Sequence, residues 1–253
     1  MDTHDTQFEA SVVLHKVSKH FSREYTSSSF LRRLVSGYQN YSQIKVLDEV
    51  SMRIGKGKII GIIGDNGSGK STLLRTIAGV YRADSGSVFT YGKVIYLSGA
   101  GYGLKDKLTV RENIYYVCGL MGFSRRFIDA KLYTIVSFCG LWDFVDVKCY
   151  QLSRGMISRL NFSIAIHCLA HQNPDIILLD EALFIGGDAF FRREALAKLS
   201  YLISCGATVF IASHNLGFIR RYCSWTFWLD KGKIKMKGKS REVICAYLAR
   251  LSE

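Results

Sequence analysis

A glycine-rich turn between a short apolar strand and the start of a helix limits the fold of this chain more than any other feature. The stretch is residues 58–72, with the sequence KIIGIIGDNGSGKST. Its apolar residues at 59–63 predict a buried strand, and Lys70, Ser71 and Thr72 are expected to open a helix. The spacing is G-x-x-x-x-G-K-[ST], the pattern of a P-loop, which predicts that a nucleoside triphosphate binds here.

The P-loop pattern assigns a role to each part of the turn. Backbone N–H groups of the glycine-rich segment converge on phosphate oxygens, Lys70 reaches the β- and γ-phosphates, and Ser71 supplies an oxygen ligand to Mg²⁺. The predicted nucleotide-binding residues of the loop are therefore Gly64, Asp65, Asn66, Gly67, Ser68, Gly69, Lys70, Ser71 and Thr72.

Length and composition limit the class of protein around this turn. The 253 residues are enough for one or two domains, and contents of 48% hydrophobic and 22% charged residues are typical of a soluble globular protein. No apolar run approaches the roughly 18 residues of a membrane span, and the polar N-terminus is no signal peptide. The seven cysteines are scattered without a C-x-x-C pair, which favours reduced thiols in the cytosol over disulfides or a zinc site.

The net charge of +13 indicates a surface that prefers anionic neighbours. Nucleic acid, anionic lipid and acidic polymers all satisfy this condition, and charge alone does not choose among them. Lysines occupy every second position from 231 to 239. Because a period of two places them on one strand face, they indicate either a membrane- or glycan-facing patch or, more commonly, an edge strand protected from pairing.

The order of predicted elements indicates an α/β fold. Strands at 11–18 and 46–54 precede the P-loop, and residues 99–150 are interpreted as a helical insertion with helices at 109–121 and 125–140. The other predicted elements are helix 71–80, strands 86–91 and 93–97, helix 154–171, strand 175–180, helix 188–204, strand 207–212, helix 215–223, strands 225–229 and 233–237, and helix 240–251. Strands that alternate with helices predict a parallel sheet that binds ligands at the carboxyl ends of its strands.

Two apolar strands end in residues that suit phosphate chemistry. Residues 176–181, IILLDE, end in two acids. Asp180 at the strand tip would hold Mg²⁺ directly or through water, and Glu181 would polarise the attacking water as a general base, whereas the alternative is that both cap the next helix. Residues 211–215, IASHN, place His214 past another strand, where it would face the γ-phosphate, although a lone histidine is more often structural.

The segment at 152–156, LSRGM, opens the helix that precedes the acidic strand. Together with the P-loop, the Asp-Glu pair and the Ser-His pair, it resembles the ATPase subunit of an ABC transporter. Longer segments, LSRGMISRLNFSIA, GAGYGLKDKLTVRENIY and DEALFIGGDAFFRR, are similar to bacterial exporters for O-antigen, capsular polysaccharide and teichoic acid. The resemblance implies a P-loop NTPase (ABC ATPase) core with a parallel sheet, an antiparallel β part at the N-terminus and a helical subdomain.

The resemblance also implies how the chain is organised around ATP and Mg²⁺. One ABC ATP-binding domain would occupy 1–253, with the helical subdomain at 99–157. Two copies would form a head-to-tail homodimer, in which each ATP lies between the P-loop of one subunit and the signature segment of the other. That segment consists of Ser153, Arg154, Gly155 and Met156. A serine hydroxyl and a glycine N–H at a helix N-terminus suit a γ-phosphate.

Some positions have alternative assignments within this resemblance or depart from the family pattern. Phe21 is expected to stack on adenine, with Tyr25 as the alternative and a place in the core as a further one. Arg154 replaces a small residue of the signature segment, and we expect its side chain to extend into solvent. The glutamine that usually follows the strand is absent around Leu97 and Ser98, and the Asp of the dimer-contact loop is one residue late, at 188.

The implied function is that of an ATP-hydrolysing subunit that drives export of a surface polysaccharide or similar lipid-linked polymer through a separate permease. This places the chain peripherally on the cytoplasmic side of the bacterial inner (cytoplasmic) membrane, with no nucleic acid expected as partner. The helical insertion would receive the permease, with Tyr102, Tyr115 and Tyr116 as candidate contacts. Two alternatives stay open: a soluble ABC-type ATPase that acts on ribosomes or nucleic acid, and a regulatory subunit that binds ATP with little turnover.

Overall fold

The structure is a computed structural model that describes residues 9–23, 42–98, 103–181 and 189–250. The strands of these residues are β1 (Ala10–Arg23), β2 (Ser42–Gly55), β3 (Ile59–Ile63), β4 (Ser85–Thr90), β5 (Val94–Ser98), β6 (Ile176–Asp180), β7 (Thr208–Ala212), β8 (Trp225–Asp230) and β9 (Lys233–Lys239). The α-helices are α1 (Lys70–Ile77), α2 (Val110–Leu120), α3 (Arg125–Cys139), α4 (Arg154–Gln172), α5 (Ala189–Ser204), α6 (Leu216–Tyr222) and α7 (Ser240–Arg250). None of these helices is both long and apolar enough to cross a membrane.

The strands form two sheets. Strands β2, β1 and β4, in that order, form an antiparallel sheet, and a second sheet has the order β5-β6-β7-β3-β8-β9. The predicted parallel sheet is confirmed for β5, β6, β7, β3 and β8, so the carboxyl ends of these five strands lie at one edge. Strand β9, which follows β8 without a helix between them, runs antiparallel to β8.

The reversal at β9 has a local cause. Only Lys231 and Gly232 separate β8 from β9, and both have a positive φ, 46° and 80°. Two such residues form a hairpin turn, whereas a parallel connection needs roughly a dozen residues. Strand β9 is the outermost strand of its sheet, as the edge-strand interpretation predicted. Its lysines are exposed, and Lys233 pairs with Asp48 at 3.0 Å.

The six-stranded sheet, called the central sheet from here on, is buried on both faces. Alternate side chains of its strands enter two different apolar clusters. Ile60 and Ile62 of β3 pack with α1 and the antiparallel sheet. Ile63 packs on the opposite face, in a cluster that includes side chains of α4, α5, α6 and α7. Burial on both faces explains why the strands read as continuous apolar runs, and it holds the end of β3 rigidly where the P-loop begins.

Helices α2, α3 and one face of α4 enclose a third apolar cluster, which includes Val110, Ile114, Ile135 and Leu160. The helices predicted at 109–121 and 125–140 are confirmed as α2 and α3, and residues 99–102 lie outside the described part of the chain. The start of α2 is stabilised by a capping box, in which Thr109 and Glu112 each accept the backbone N–H of the other.

Helix ends agree with the sequence signals in one case and differ in another. Helix α4 ends at Gln172, one residue after the predicted end, and is followed by Asn173 with a φ of 45° and by Pro174, which cannot continue a helix. Helix α1 ends at Ile77, three residues before the predicted end. The reason is Gly79, whose φ of 73° is left-handed and interrupts the helix.

Candidate functional site

The P-loop joins β3 to α1, and its backbone follows a path that only glycine tolerates at two positions. Gly64 has a φ of 149°, and a Cβ there would lie 2.1 Å from the Leu229 carbonyl oxygen. Gly69 has a φ of 105°, and a Cβ there would lie 2.8 Å from the Val46 carbonyl oxygen. The loop is therefore packed against the end of β8 and against β2, and these contacts restrict its shape.

Lys70 is the first residue of α1, and its side chain folds back inside the loop. Its Nζ donates to the carbonyl oxygens of Gly64 at 2.9 Å and Asp65 at 3.0 Å. Burial lowers the pKa of Lys70, while the carboxylates of Glu181, Asp180 and Asp65 act in the opposite direction. A poorly hydrated ammonium group at a helix N-terminus is well prepared to bind phosphate oxygens.

Asp180, the last residue of β6, brings the predicted metal ligands together. Its Oδ1 accepts from the Ser71 hydroxyl at 2.9 Å, and its Oδ2 accepts from the Tyr96 hydroxyl at 2.8 Å. Neighbouring oxygen ligands of a Mg²⁺ octahedron are separated by about 3 Å, because each lies about 2.1 Å from the ion. The hydroxyl of Ser71 and the carboxylate of Asp180 therefore fit Mg²⁺ in both chemistry and separation.

The residues around Asp180 also include Tyr96 on β5, which the sequence analysis did not predict as a site residue. Arg75 donates through Nε to the Tyr96 hydroxyl and through Nη1 to the Tyr81 hydroxyl, each at 3.1 Å. Burial raises the pKa of Tyr96, so the phenol keeps its proton and donates it to Asp180. The only sequence signal was a polar-tipped aromatic inside an apolar strand next to the acidic one.

The end of β5, where the glutamine of the family pattern is absent, makes a different contact. Leu97 and Ser98 are buried at the end of β5, and Ser98 lies beside Asp180 in the parallel register of β5 and β6. The Ser98 carbonyl oxygen accepts from the side-chain amide of Asn161 at 3.1 Å. The end of β5 is thus tied to α4, the helix that begins with the signature segment.

Glu181 and His214 meet because β6 and β7 are neighbours in the sheet. The Glu181 Oε1 and His214 Nε2 atoms are 2.8 Å apart, and both side chains are about half exposed, at 41% and 46%. Glu181 has a φ of 56°, a strained conformation for a residue other than glycine and one that is common at functional sites. Their catalytic roles stay predictions.

Phe21 lies on β1, where its ring meets Tyr81 edge-to-face with centroids 5.3 Å apart. The Lys19 ammonium lies 5.5 Å from the centre of the same ring. Through Tyr81, the ring is connected to Arg75 and so to the group around Asp180. Stacking of Phe21 on adenine stays a prediction, and Tyr25 lies outside the described residues.

The signature segment forms the start of α4. Ser153 is the N-cap, and its hydroxyl accepts from the Met156 backbone N–H at 3.2 Å. Arg154 is exposed, as expected, and Gly155 and Met156 are partly buried. The dimer-contact position at 187–188 lies outside the described residues.

The sequence model of the ABC transporter family matches residues 47–184, which is more than half of the chain. The match includes the P-loop, the signature segment and the Asp180–Glu181 pair. The chain belongs to the ABC transporter family.

Two curated relatives of this ABC transporter family member have related names. The chain is 36% identical over 251 residues to the O-antigen export system ATP-binding protein RfbB of Myxococcus xanthus, covering 96% of this chain and 56% of that protein. It is 36% identical over 244 residues to the teichoic acids export ATP-binding protein TagH of Enterococcus faecalis, covering 96% of this chain and 53% of that protein. The chain therefore spans a little over half the length of both relatives.

Among solved structures, the chain is similar to a dimeric ATP-binding cassette in a post-hydrolysis state bound to ADP and Pi. The TM-score is 0.71 at 23% identity, with 91% of this chain and 99% of that chain covered. The likeness confirms the fold class, an α/β P-loop core of the ABC ATPase type with an antiparallel sheet and helices.

Proposed function

We propose that this chain is the ATP-binding and ATP-hydrolysing subunit of an ABC exporter that moves a surface polysaccharide or a similar lipid-linked polymer through a separate permease. The observation that supports ATP hydrolysis best is the meeting of the P-loop with the ends of β6 and β7. There Ser71 contacts Asp180 at 2.9 Å and Glu181 contacts His214 at 2.8 Å. Family membership and the names of the two relatives support the polymer class.

Binding of the triphosphate is assigned to the loop. Backbone N–H groups of 64–71 and the ammonium group of Lys70 would hold the phosphates at the N-terminus of α1. Ser71 and Asp180 would hold Mg²⁺, which supplies charge neutralisation on the phosphate oxygens when it is bound. Phe21 would stack on the adenine ring.

Hydrolysis is assigned to Glu181 and His214, which follow the ends of β6 and β7. The Glu181 carboxylate would accept a proton from the attacking water. His214 would hold that carboxylate in place, with Nε2 donating to Oε1 across the 2.8 Å contact. In a head-to-tail dimer, the start of α4 in the second subunit would close over the γ-phosphate with Ser153 and the Gly155 N–H.

A groove between the central sheet and the helical subdomain is the proposed docking place of the permease. Its volume is about 600 Å³, and apolar side chains such as Val80, Leu97, Val117 and Met121 line it. Docking there would hold the chain peripherally at the cytoplasmic side of the membrane. Tyr115 and Tyr116 lie on the same helix as Val117, and Tyr102 lies outside the described residues.

The test is a comparison of ATP binding with phosphate release in the purified chain. Glu181→Gln should keep ATP affinity and lose at least about 100-fold in hydrolysis rate, because only the general base is removed. Lys70→Ala should lose most of its ATP affinity. Glu242→Gln, the same change at an exposed site on α7, is the matched control and should behave like wild type.

Each result separates the proposal from its alternatives. A Glu181→Gln variant that hydrolyses ATP at the wild-type rate would contradict the catalytic assignment. A wild-type chain that binds ATP with negligible turnover, even with its permease, would favour the regulatory subunit. Recovery of ribosomes or nucleic acid instead of a membrane protein after cross-linking in cells would favour the soluble ATPase.

A further inference from the structure

The C-terminal helix α7 reaches into the P-loop through two side chains. The Tyr247 hydroxyl donates to Oδ1 of Asp65 at 2.7 Å, and Nη2 of Arg250 donates to Oδ2 of the same carboxylate. Asp65 directly follows the first glycine of the loop and is 182 residues before Tyr247 in the chain. Both oxygens of a P-loop carboxylate are therefore held by the last element of the described chain.

The two donors, Tyr247 and Arg250, both contact the ring of Trp228. The rings of Trp228 and Tyr247 are buried and meet edge-to-face, with centroids 5.4 Å apart. The Arg250 guanidinium lies 5.6 Å from the centre of the Trp228 ring, and its Nη1 is 3.4 Å from Oδ1 of Asp230. Because β8 carries Trp228 and Asp230, the central sheet aims Tyr247 and Arg250 at the loop.

Asp65 also affects the P-loop lysine. Its carbonyl oxygen accepts from Lys70 Nζ at 3.0 Å, so the position of the Asp65 residue helps to determine where the ammonium group lies. Hydrogen bonds from Tyr247 and Arg250 lower the pKa of Asp65, which keeps its carboxylate ionised. An ionised carboxylate in a loop that binds a triphosphate would repel the ligand unless its charge is compensated.

We infer that Tyr247 and Arg250 are positioning residues for nucleotide binding: they hold Asp65 and neutralise it, so that the P-loop can accept a triphosphate. The inference rests on the proposed function, since it assigns α7 a share in the ATP site of that function. Neither residue belongs to the loop or to the strand ends that carry the chemistry. Arg250 contributes charge compensation, and Tyr247 contributes orientation.

The test is a double-mutant cycle read out by equilibrium titration of the full chain with ATP and Mg²⁺. Arg250→Gln should weaken ATP affinity about five- to tenfold, because one uncompensated carboxylate then faces the phosphates, and the loss should shrink at high salt. Asp65→Asn alone sets the reference for the second arm of the cycle. In the Asp65→Asn background, Arg250→Gln should change ATP affinity by less than about twofold, because no carboxylate charge is left to compensate.

Two control variants separate charge compensation from loss of packing. Arg241→Gln removes the same charge from an exposed site at the other end of α7, about 13 Å away along the helix, and should bind ATP like wild type. Arg250→Lys keeps the charge while changing the contact with Trp228, and should stay within about threefold of wild type. Thermal unfolding of every variant identifies any loss of fold.

The inference is overturned if Arg250→Gln binds ATP as tightly as wild type. It is equally overturned if Arg250→Gln costs as much ATP affinity in the Asp65→Asn background as in wild type, or if Arg250→Lys is as weak as Arg250→Gln, because helix packing would then explain the loss. A wild-type chain that binds no ATP would overturn the proposed function as well. The two failures are therefore distinguishable.

Discussion

At the scale of single residues, Asp180 connects the P-loop to a side chain that no motif marks. Ser71 and Tyr96 donate to different oxygens of its carboxylate, at 2.9 and 2.8 Å, and Arg75 donates to the Tyr96 hydroxyl. With Oδ2 occupied by Tyr96, Oδ1 stays directed at Ser71. Tyr96 thus orients the carboxylate for the Mg²⁺ proposed between Asp180 and Ser71.

We expect Tyr96→Phe to weaken the effect of Mg²⁺ on ATP binding about three- to tenfold, because a hydrogen bond to a charged group is lost while the ring remains. ATP affinity measured in the presence of EDTA should stay unchanged. Titrations with and without Mg²⁺ measure the difference. Tyr91→Phe, which removes a hydroxyl from an exposed tyrosine, is the control. An equal loss under both conditions would mean that Tyr96 supports only the fold.

At the scale of elements, α4 contains a histidine that burial keeps neutral. The Nδ1 atom of His167 is 2.8 Å from the Ser163 carbonyl oxygen, which only accepts, so Nδ1 carries the proton. Nε2 is buried and has no hydrogen-bond partner among the described residues. Burial is the main cause that lowers the pKa of His167 to about 4.

This shift predicts a loss of stability in weak acid. The unfolded chain has an ordinary histidine pKa of about 6.5, so it takes up the proton first as the pH falls. The contribution of neutral His167 to the free energy of unfolding should therefore be fully present above about pH 6.5. It should decline toward pH 4, by an amount on the order of 3 kcal/mol. Urea unfolding at neutral and mildly acidic pH measures this decline.

His167→Gln should show a smaller decline between the same two pH values, because its side chain takes up no proton. His15→Gln, at an exposed position on β1, should decline like wild type. If wild type and His167→Gln lose the same stability on acidification, the buried histidine is not the cause.

At the scale of the whole molecule, the proposed ATP site needs residues from two copies. The P-loop lies at the end of β3 in the central sheet, and the signature segment begins α4, one face of which packs with α2 and α3 in a separate apolar cluster. The proposed function requires the start of α4 to meet the P-loop of a second chain across ATP.

We expect Glu181→Gln to form a dimer when ATP is added, because the bound triphosphate joins the two copies and is not hydrolysed. Light scattering after size-exclusion chromatography measures the mass. Adding Gly155→Glu should abolish the dimer, since a carboxylate would face the γ-phosphate. Gly119→Glu, which adds the same group to α2 where a Cβ meets nothing within 4 Å, should leave it intact. A monomer under all conditions would contradict the head-to-tail arrangement.

Local signals were sufficient for most elements of the described chain. The apolar run before Asp180 predicted β6, and the helix predicted at 154–171 agrees with α4 to within one residue. Glycine spacing with Lys70 and Ser71 located the P-loop between β3 and α1. These features depend on neighbours within a few residues, which is the range over which backbone preference, capping and apolar periodicity act.

What the amino-acid sequence determined by itself was therefore the kind and position of the elements, and the chemistry of the P-loop. Only the tertiary structure decided the order of the strands in the sheets and the partners of the site's carboxylates. Tyr96 reaches Asp180 across 84 residues, and Arg250 reaches Asp65 across 185. The physical reason is that such contacts follow from strand order and from the packing of helices on the sheet, which bring distant residues together without any periodic or local pattern.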